Sequence, residues 1–170
     1  RERANLGIVY LPQEPSIFRN LSVSDNIKSA FEVQKLNQEE LSLRTEKIIE
    51  DFDIGSIAFQ KGSELSGGQR RRVEIARSIA LNPKFIMLDE PFAGIDPIAI
   101  LELKKLIKKL SNKGLGILIS DHNVKATMDI CSEIFIISEG SIISNGTPKE
   151  VSNNKMVRKT YLGEWSWWKK

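Results

Sequence analysis

Two adjacent carboxylates follow an apolar run of the sequence. Asp89 and Glu90 come directly after residues 85–88, whose continuous apolar character is typical of a buried parallel strand. Burying charge is costly, so a carboxylate pair at the end of such a strand indicates a function. An aspartate there can hold Mg²⁺, and the glutamate after it can orient or deprotonate an attacking water. A pair of solvated loop carboxylates is the alternative, and the two residues alone do not decide between these interpretations.

Two glycines stand just before a predicted helix, in the segment Leu65-Ser66-Gly67-Gly68-Gln69. Glycines let the backbone approach an anion closely, and the first turn of a helix presents free N–H groups and a partial positive charge. The hydroxyl of Ser66 adds a further donor. The segment therefore fits a phosphate-binding loop, although two glycines before a helix on their own usually form only a turn.

His122 and Gln13 also follow predicted strands. His122 is the only histidine and stands between a strand at residues 117–119 and the next helix, at the same sheet edge as the carboxylate pair. An imidazole at that edge can donate to a phosphate. Gln13 follows the first strand, and its side-chain amide can contact Mg²⁺ or the attacking water. Either residue alone is more often a surface residue, so its interpretation depends on the other motifs.

The order of the predicted elements gives the fold class. Apolar periodicity and helix caps predict strands at about residues 6–11, 85–88, 117–119, 134–137 and 141–144, and helices at about 23–33, 37–52, 69–81, 97–110, 124–128 and from 148 onward. A helical segment thus separates the first strand from a series of alternating strands and helices. We therefore expect an α/β fold with a mostly parallel sheet and a helical subdomain inserted before Leu65.

The composition excludes several classes of protein. In 170 residues, 41% hydrophobic and 28% charged residues are ordinary for a globular domain. No apolar run approaches the ~20 residues of a membrane-spanning helix. The formal charge of +3 does not indicate a dedicated nucleic-acid binder. Cys131, the only cysteine, has apolar neighbours, so we interpret it as a small buried hydrophobe in a reducing compartment.

The predicted helix at residues 69–81 carries four arginines. Its apolar stripe contains Val73, Ala76, Ile79 and Ala80, and the arginines fall mostly on other faces. We expect a solvated basic face to account for most of them, which are Arg70, Arg71, Arg72 and Arg77.

Together these motifs resemble those of the ABC ATPase family. Residues 65–69 are similar to the family's signature motif, and residues 85–90 resemble its metal-binding strand and catalytic glutamate. The segment that ends at Asp96 resembles its D-loop, while His122 and Gln13 resemble its switch histidine and Q-loop glutamine. All five occur in the family's order over nearly the whole chain. The resemblance implies a P-loop NTPase-like ABC ATPase core.

The resemblance also implies roles for these residues. Glu90 and His122 would be catalytic, while Asp89 and Gln13 would organise Mg²⁺. ATP would lie between the two subunits of a head-to-tail homodimer. The residues that would contact the nucleotide are Ser66, Gly67, Gly68, Gln69 and Asp96.

The partners implied by the resemblance are transmembrane permease subunits, and nucleic acid is not among them. The chain would work at the cytoplasmic face of the inner membrane, and the loop around Gln13 and the helical insert at residues 22–52 would be the docking surface. The closer resemblance is to ATPases of lipopolysaccharide-transport (Lpt) systems. It rests on residues 10–14, 72–77, 91–98, 121–124 and 161–164. ATPases of branched-chain amino-acid importers are also similar and remain an alternative.

A P-loop is absent from the printed sequence. No G-x-x-x-x-G-K-[ST] occurs in the 170 residues, and the family carries that motif upstream of its Q-loop glutamine. We therefore expect a partial ABC ATPase domain that is incomplete at its N-terminus. We expect the chain alone to be inactive and poorly stable, because a missing strand opens the sheet. The expected parts are a core strand and Q-loop at residues 1–20, a helical subdomain and signature helix at 21–80, an α/β core at 81–150 and a C-terminal tail at 151–170.

Two other classes compete with this interpretation. ATPases of chromosome maintenance and DNA repair share the signature motif but carry long coiled-coil insertions, and the interval from Gln13 to Leu65 is short and lacks sustained heptads. A non-catalytic module that retains the fold is the other, and the presence of Glu90 and His122 argues against it. The tryptophan-rich residues 165–170 suit a membrane interface or a partner groove, and packing onto the domain or fraying are the alternatives.

Overall fold

A computed structural model describes residues 6–159 of the chain. The described residues divide into two compact units, of which the first ends at Asn123 and the second begins at Val124. The predictions for residues 161–164 and for the tryptophan-rich tail lie outside the described residues. The expected boundaries at residues 20, 80 and 150 remain predictions.

The first unit contains three strands and four long helices. In chain order they are β1 (Ile8–Leu11), α1 (Val23–Phe31), α2 (Gln38–Asp51), α3 (Gly67–Ala80), β2 (Phe85–Asp89), α4 (Pro97–Asn112) and β3 (Gly116–Ser120). Short 3₁₀ turns lie at Glu32–Gln34, Gly55–Ile57 and Gly62–Glu64. The predicted elements of this unit are confirmed, with ends that differ by a few residues.

The three strands form a parallel sheet in the order β1-β2-β3. Leu11 of β1 is opposite Leu88 of β2, and Asp89 is opposite Ser120 at the end of β3. Ile86 and Leu88 of the central strand are buried, as its apolar sequence predicts. Because parallel strands end at the same edge, the loops that follow β1, β2 and β3 all leave the sheet from one side.

The first two helices between β1 and β2 begin at residues whose side chains cap them. Ser22 begins α1 by accepting a hydrogen bond from the amide of Asp25, and Asn37 begins α2 in a reciprocal capping box with Glu40. Helix α3 then packs against α1, α2, α4 and β1, which makes it the central helix of the first unit.

The face of α3 that meets the sheet is more polar than expected. Arg71 is only 6% exposed, and Glu74 and Ser78 are buried on the same face. The prediction that the arginines of this helix mostly form a solvated basic face was therefore wrong for Arg71. Arg77 is half-buried, which lowers its pKa, and its guanidinium lies 4.6 Å from the centre of the Phe18 ring.

The second unit is small. It contains α5 (Val124–Met128), the antiparallel hairpin of β4 (Ile134–Ser138) and β5 (Ser141–Gly146), α6 (Pro148–Asn153) and α7 (Lys155–Val157). Thr147 caps α6 in a capping box with Glu150, as the sequence predicts. Its core is formed by Ile134, Val151 and Val157, and Cys131 packs against that core.

Cys131 was expected to be a small buried hydrophobe, and the structure shows it half-buried. Burial raises the pKa of its thiol, which keeps the side chain neutral among its apolar neighbours.

The longest helix of the described residues is α4, with 16 residues. None of the helices between residues 6 and 159 has both the length and the apolar composition required to cross a bilayer.

One buried amide holds the loop that leads into α1. Asn26 is fully buried; its Oδ1 accepts from the amide of Phe18 at 2.9 Å, and its Nδ2 donates to the carbonyls of Phe18 and Ser22 at 3.0 Å each and of Leu21 at 3.3 Å. The side chain therefore supplies the acceptor for the Phe18 amide and a second donor to three carbonyls that also accept from backbone amides.

We expect Asn26→Ala to lower the free energy of unfolding by about 1–3 kcal/mol, because it removes the acceptor of the Phe18 amide and the second donor of three carbonyls. Urea unfolding of the chain measures the change. Asn112→Ala, at the exposed end of α4, is the matched control and should change stability by less than about 0.5 kcal/mol. Equal losses in the two variants would contradict the assigned role of Asn26.

Candidate functional site

The chain turns sharply where β2 ends. Glu90 has a left-handed backbone with φ of 41°, a conformation that is strained for a residue with a long side chain. Its amide donates to the carbonyl of Ser120 at 2.7 Å, and its carbonyl accepts from the amide of Ala93 at 3.1 Å. These two backbone hydrogen bonds hold the turn between the end of β3 and the loop that follows Glu90.

The Glu90 carboxylate is the meeting point of three loops. Gln13, which follows β1, donates from Nε2 to Oε2 of Glu90 at 2.8 Å. The Nδ1 atom of His122, which follows β3, lies 3.4 Å from the same oxygen. Three of the residues that the sequence singled out are therefore brought together by the carboxyl edge of the sheet.

Asp89 lies beside this cluster and is held from both neighbouring strands. Tyr10 of β1 donates its hydroxyl to Oδ2 at 2.8 Å, and Ser120 of β3 donates to Oδ1 at 3.0 Å. The hydrogen bond to Asp89 is the main cause that raises the pKa of Tyr10. The phenol therefore stays protonated and serves as a fixed donor to the carboxylate.

The loop that carries His122 is anchored by the residue before it. The Asp121 carboxylate is fully buried and accepts hydrogen bonds from the amides of Phe92, at 3.0 Å, and Asn123, at 2.7 Å. Asp121 therefore joins the loop after β3 to the loop after β2. The two loops on which Glu90 and His122 stand are connected by this one side chain.

The donor atoms at this edge suit a magnesium ion that is bound together with phosphates. Between residues 6 and 159, no group of three or more His, Cys, Asp or Glu side chains could hold a metal by itself. Asp89 and Gln13 supply oxygen atoms, which Mg²⁺ prefers, and this ion is usually held by one or two protein oxygens with the rest from phosphates and water. The residues present thus fit the ion that the sequence predicts.

Ser66 and Gln69 form the N-terminal cap of α3. The Ser66 hydroxyl accepts from the amide of Gln69 at 3.3 Å, and the Gln69 side chain accepts from the amide of Ser66 at 3.0 Å. Ser66, Gly67 and Gln69 are exposed. The cap explains the residue types structurally, and it also leaves the helix N-terminus open to an anion.

The two glycines allow α3 to start close to the segment after β2. A Cβ atom on Gly68 would lie 2.4 Å from the Cβ of Ala99 in α4, a distance that real side chains do not reach. A Cβ on Gly67 would lie 3.1 Å from the carbonyl oxygen of Gly94. Gly68 is therefore required for the packing of α3 against α4, whatever else the loop binds.

Asp96 is the N-cap of α4. Its Oδ1 atom accepts from the amides of Ile98 and Ala99 at 3.1 and 2.9 Å, and Pro97 occupies the first position of the helix. Asp96 also lines a cleft of about 350 Å³ together with Ser66, Gly68 and Gln69. Four of the five residues assigned to nucleotide contact thus share one cleft.

Arg71, Tyr10 and Asp121 are functional candidates that the sequence interpretation missed. Tyr10 and Asp121 stand next to motifs, yet nothing in their types shows which atoms they contact. The sequence did contain a signal for the burial of Arg71. Glu74, Ile75 and Ser78 follow it at spacings of three, four and seven residues, and the four residues form one buried helix face. An Arg–Glu pair on such a face indicates an internal ion pair.

A comparison with protein families matches residues 1–93 to the ABC transporter family. The chain is also 52% identical over 163 residues to the lipopolysaccharide export system ATP-binding protein LptB of Haemophilus influenzae. That alignment covers 95% of this chain and 68% of the relative.

The chain belongs to the ABC transporter family.

Other relatives agree with this assignment. The LptB protein of Escherichia coli K12 is 49% identical over 163 residues, which are 95% of this chain and 68% of that protein. Among solved structures, cbiO1 from Clostridium perfringens, part of the ABC transporter complex cbiONQ, has a TM-score of 0.81 at 30% identity, covering 94% of this chain and 65% of that one. MJ1267 in its ADP conformation, an ATP-binding cassette of an ABC transporter, has a TM-score of 0.79 at 28% identity, over 96% and 71% of the two chains.

Membership of the ABC family confirms the predicted class of ATPase and the predicted α/β core with a parallel sheet. The two LptB relatives also confirm the closer resemblance to ATPases of lipopolysaccharide transport. The individual roles of Gln13, Asp89, Glu90 and His122 remain a matter of proposal, as do those of the signature residues.

We expect Gly68→Ala to destabilise the first unit by about 1–3 kcal/mol, because the new methyl group overpacks the contact between α3 and α4. Urea unfolding measures the loss. The double variant Gly68→Ala/Ala99→Gly removes the opposing methyl group and should regain a large part of it. A double variant no more stable than Gly68→Ala would show that packing against Ala99 is not the reason for this glycine.

Proposed function

We propose that this chain provides the ATP-hydrolysing part of an ABC transporter that exports lipopolysaccharide. The two LptB relatives described above carry that role in their names, and they favour it over amino-acid import. As such a subunit, the chain would act at the cytoplasmic face of the inner membrane, attached to transmembrane subunits.

The observation that carries this proposal is the contact of Gln13 and His122 with a single oxygen of Glu90, at 2.8 and 3.4 Å. A carboxylate held in this way is suited to orient a water and to accept its proton. His122 is 73% exposed at its side chain, so it is accessible to the phosphate of a bound nucleotide. Positioning and electrostatics of this kind are the main means of catalysing phosphoryl transfer.

Asp89 and Gln13 are the proposed ligands of Mg²⁺, which neutralises charge on the phosphates when it is bound with ATP. Tyr10 and Ser120 hold the Asp89 carboxylate from either side, so its position is fixed before the ion arrives. The Nε2 atom of Gln13 is occupied by Glu90, which leaves its Oε1 atom for the metal.

The signature segment is proposed to serve a second copy of the chain. Ser66 and Gly67 are exposed at the N-terminus of α3, and the free N–H groups there favour an anion. In a head-to-tail homodimer, Ser66, Gly67, Gly68, Gln69 and Asp96 would face the ATP held by the partner copy. Closure on ATP and reopening after hydrolysis would then move the transmembrane subunits.

The proposed docking surface for those subunits is the loop around Gln13 with the helical insert at residues 22–52. Phe18, in the loop after Gln13, is 49% exposed and stacks beneath the half-buried Arg77. An exposed aromatic ring beside a cation is typical of protein interfaces.

The 170 residues contain no P-loop, and we propose that they bind ATP weakly when isolated. The backbone amides and lysine of a P-loop are the main phosphate-binding groups of such sites. We expect no saturation of the isolated chain below about 1 mM ATP, where the standard binding free energy is only about −4 kcal/mol. Isothermal titration calorimetry measures this, and a micromolar dissociation constant would contradict it.

Hydrolysis can be tested in a fusion that places residues 1–170 behind the P-loop segment of the Haemophilus influenzae relative, hereafter the P-loop fusion. We expect the fusion to hydrolyse ATP with Mg²⁺, and Glu90→Gln to lower kcat by about 100-fold or more with little change in KM, because the amide cannot accept the proton of the attacking water.

Glu133→Gln is the matched control for that substitution. Glu133 is exposed between α5 and β4, in the unit that contains none of the residues assigned to the site, so kcat should stay within about twofold of the unsubstituted fusion. A Glu90→Gln fusion that keeps its full kcat would overturn the catalytic role of Glu90, and a fusion that folds, binds ATP and does not hydrolyse it would overturn the proposed function.

A further inference from the structure

A buried guanidinium joins α3 to the ends of two strands. Arg71 donates from Nη1 to the carbonyl of Pro12, just after β1, at 2.8 Å. It donates from Nη2 to the carbonyl of Asp89, the last residue of β2, at 2.7 Å. Pro12 directly precedes Gln13, and Asp89 directly precedes Glu90. The two peptides that introduce these side chains are thus held by the same planar group.

The ion-pair partner of Arg71 continues this connection. Glu74 lies 3.3 Å from Nη1 of Arg71, and the side chains are 6% and 3% exposed. The other oxygen of Glu74 accepts from the amide of Ser16 at 2.8 Å. Arg77, one helical turn further, donates to the carbonyl of Ser16 at 2.7 Å. Helix α3 therefore holds the loop of Gln13 on both sides, at Pro12 before it and at Ser16 after it.

This arrangement is poorly explained by stability alone. Buried ion pairs lose much of their attraction to the cost of desolvation, and apolar residues of similar size often stabilise a protein as well or better. The buried Nε atom of Arg71 has no hydrogen-bond partner among the described residues, which adds a further cost. What the pair does supply is a rigid fork that spans two carbonyls on neighbouring strands.

We propose that Arg71 is a positioning residue for the catalytic site. It holds the peptides before Gln13 and Glu90 in register, so that the amide of Gln13 stays on the Glu90 carboxylate. Ser66 caps α3 and Arg71 lies in its second turn, so one helix links the signature segment to the peptides before Gln13 and Glu90. The inference rests on the proposed ATPase function, since it concerns the residues assigned to hydrolysis.

A purely architectural Arg71 is the alternative, and the two roles differ in how they combine with Gln13. Substituting a purely architectural residue lowers the fraction of folded protein. The measured kcat then falls by the same factor whether or not a second residue is also substituted. A residue that acts by placing Gln13 loses most of its effect once the Gln13 side chain is gone.

The test is a double-mutant cycle in the P-loop fusion with Arg71→Lys and Gln13→Ala. Lysine keeps the charge beside Glu74, but a single ammonium cannot bond both strand carbonyls in the way the guanidinium does. We expect Arg71→Lys to lower kcat by about 10- to 100-fold with KM for ATP nearly unchanged, since small displacements of catalytic groups have effects of this size. In the Gln13→Ala background the same substitution should lower kcat by less than about threefold. Equal falls in both backgrounds would overturn the proposal.

Lys113→Arg, the reverse exchange at an exposed site, is the matched control. Lys113 is exposed at the C-terminal end of α4 and donates to the side chain of Asp51, so this conservative change should leave kcat within about twofold in either background. If Arg71→Lys does not fold, Glu74→Gln replaces it in the cycle, because it removes the charge that fixes Arg71 and keeps an acceptor for Ser16. If Glu74→Gln lowers kcat much less in the Gln13→Ala background than in the unsubstituted fusion, the proposal is supported. If it lowers kcat by the same factor in both backgrounds, the proposal is overturned.

Hydrogen exchange separates this inference from the proposed function. The amide of Ser16 donates to Glu74 in the structure, so Arg71→Lys should speed its exchange in the P-loop fusion whether or not ATP is hydrolysed. A fusion without ATPase activity but with faster exchange would overturn the function and leave the connection from α3 to this loop intact. An active fusion with unchanged exchange at Ser16 would overturn the role of Arg71.

Discussion

The left-handed turn at Glu90 is the constraint on which the site depends. A φ of 41° at a glutamate costs about 1–3 kcal/mol and persists only where neighbouring groups determine it. Those groups are the carbonyl of Ser120 and the amide of Ala93, which hold the turn against the end of β3. The side chain that results from this turn is contacted by Gln13 from one neighbouring loop and approached by His122 from another. The strain is thus located at the residue for which a chemical role is proposed.

Helix α3 connects the signature segment to the peptides that precede Gln13 and Glu90. Its N-terminus carries the exposed signature segment, capped by Ser66 and Gln69, and its buried face carries Arg71. Gly68 allows the helix to start against α4, whose own cap is Asp96. The helix therefore contacts the end of β1 and the end of β2 while carrying the signature segment at its N-terminus. A buried ion pair is more informative here for the geometry that it specifies than for the stability that it provides.

Much of this architecture is predictable from local rules, and the remainder depends on contacts between distant segments. The apolar run at residues 85–88 and the capping residues Asn37 and Thr147 mark elements that the structure contains, because strand burial and helix caps are encoded within a few residues. The convergence of Gln13, Glu90 and His122 follows from the rule that parallel strands end at one edge. The burial of Arg71 does not follow from such rules, because its two carbonyl partners lie 59 and 18 residues away along the chain. Ser66 differs from both cases, because its cap follows from the spacing to Gln69, whereas the phosphate role proposed for the same hydroxyl depends on a second copy of the chain.

The most direct test of the central claim is the position of the proton on His122. It is the only histidine of the chain, so its ring nitrogens can be followed by ¹⁵N NMR without ambiguity. Which nitrogen of a neutral imidazole carries the proton is set by its hydrogen-bond partner. A proton held on Nδ1 toward Glu90, and shifted toward Nε2 in Glu90→Ala, is the result that this account predicts. A ring protonated on Nε2 in both proteins would show that Glu90 does not hold the Nδ1 atom of His122. That result would contradict the proposed site.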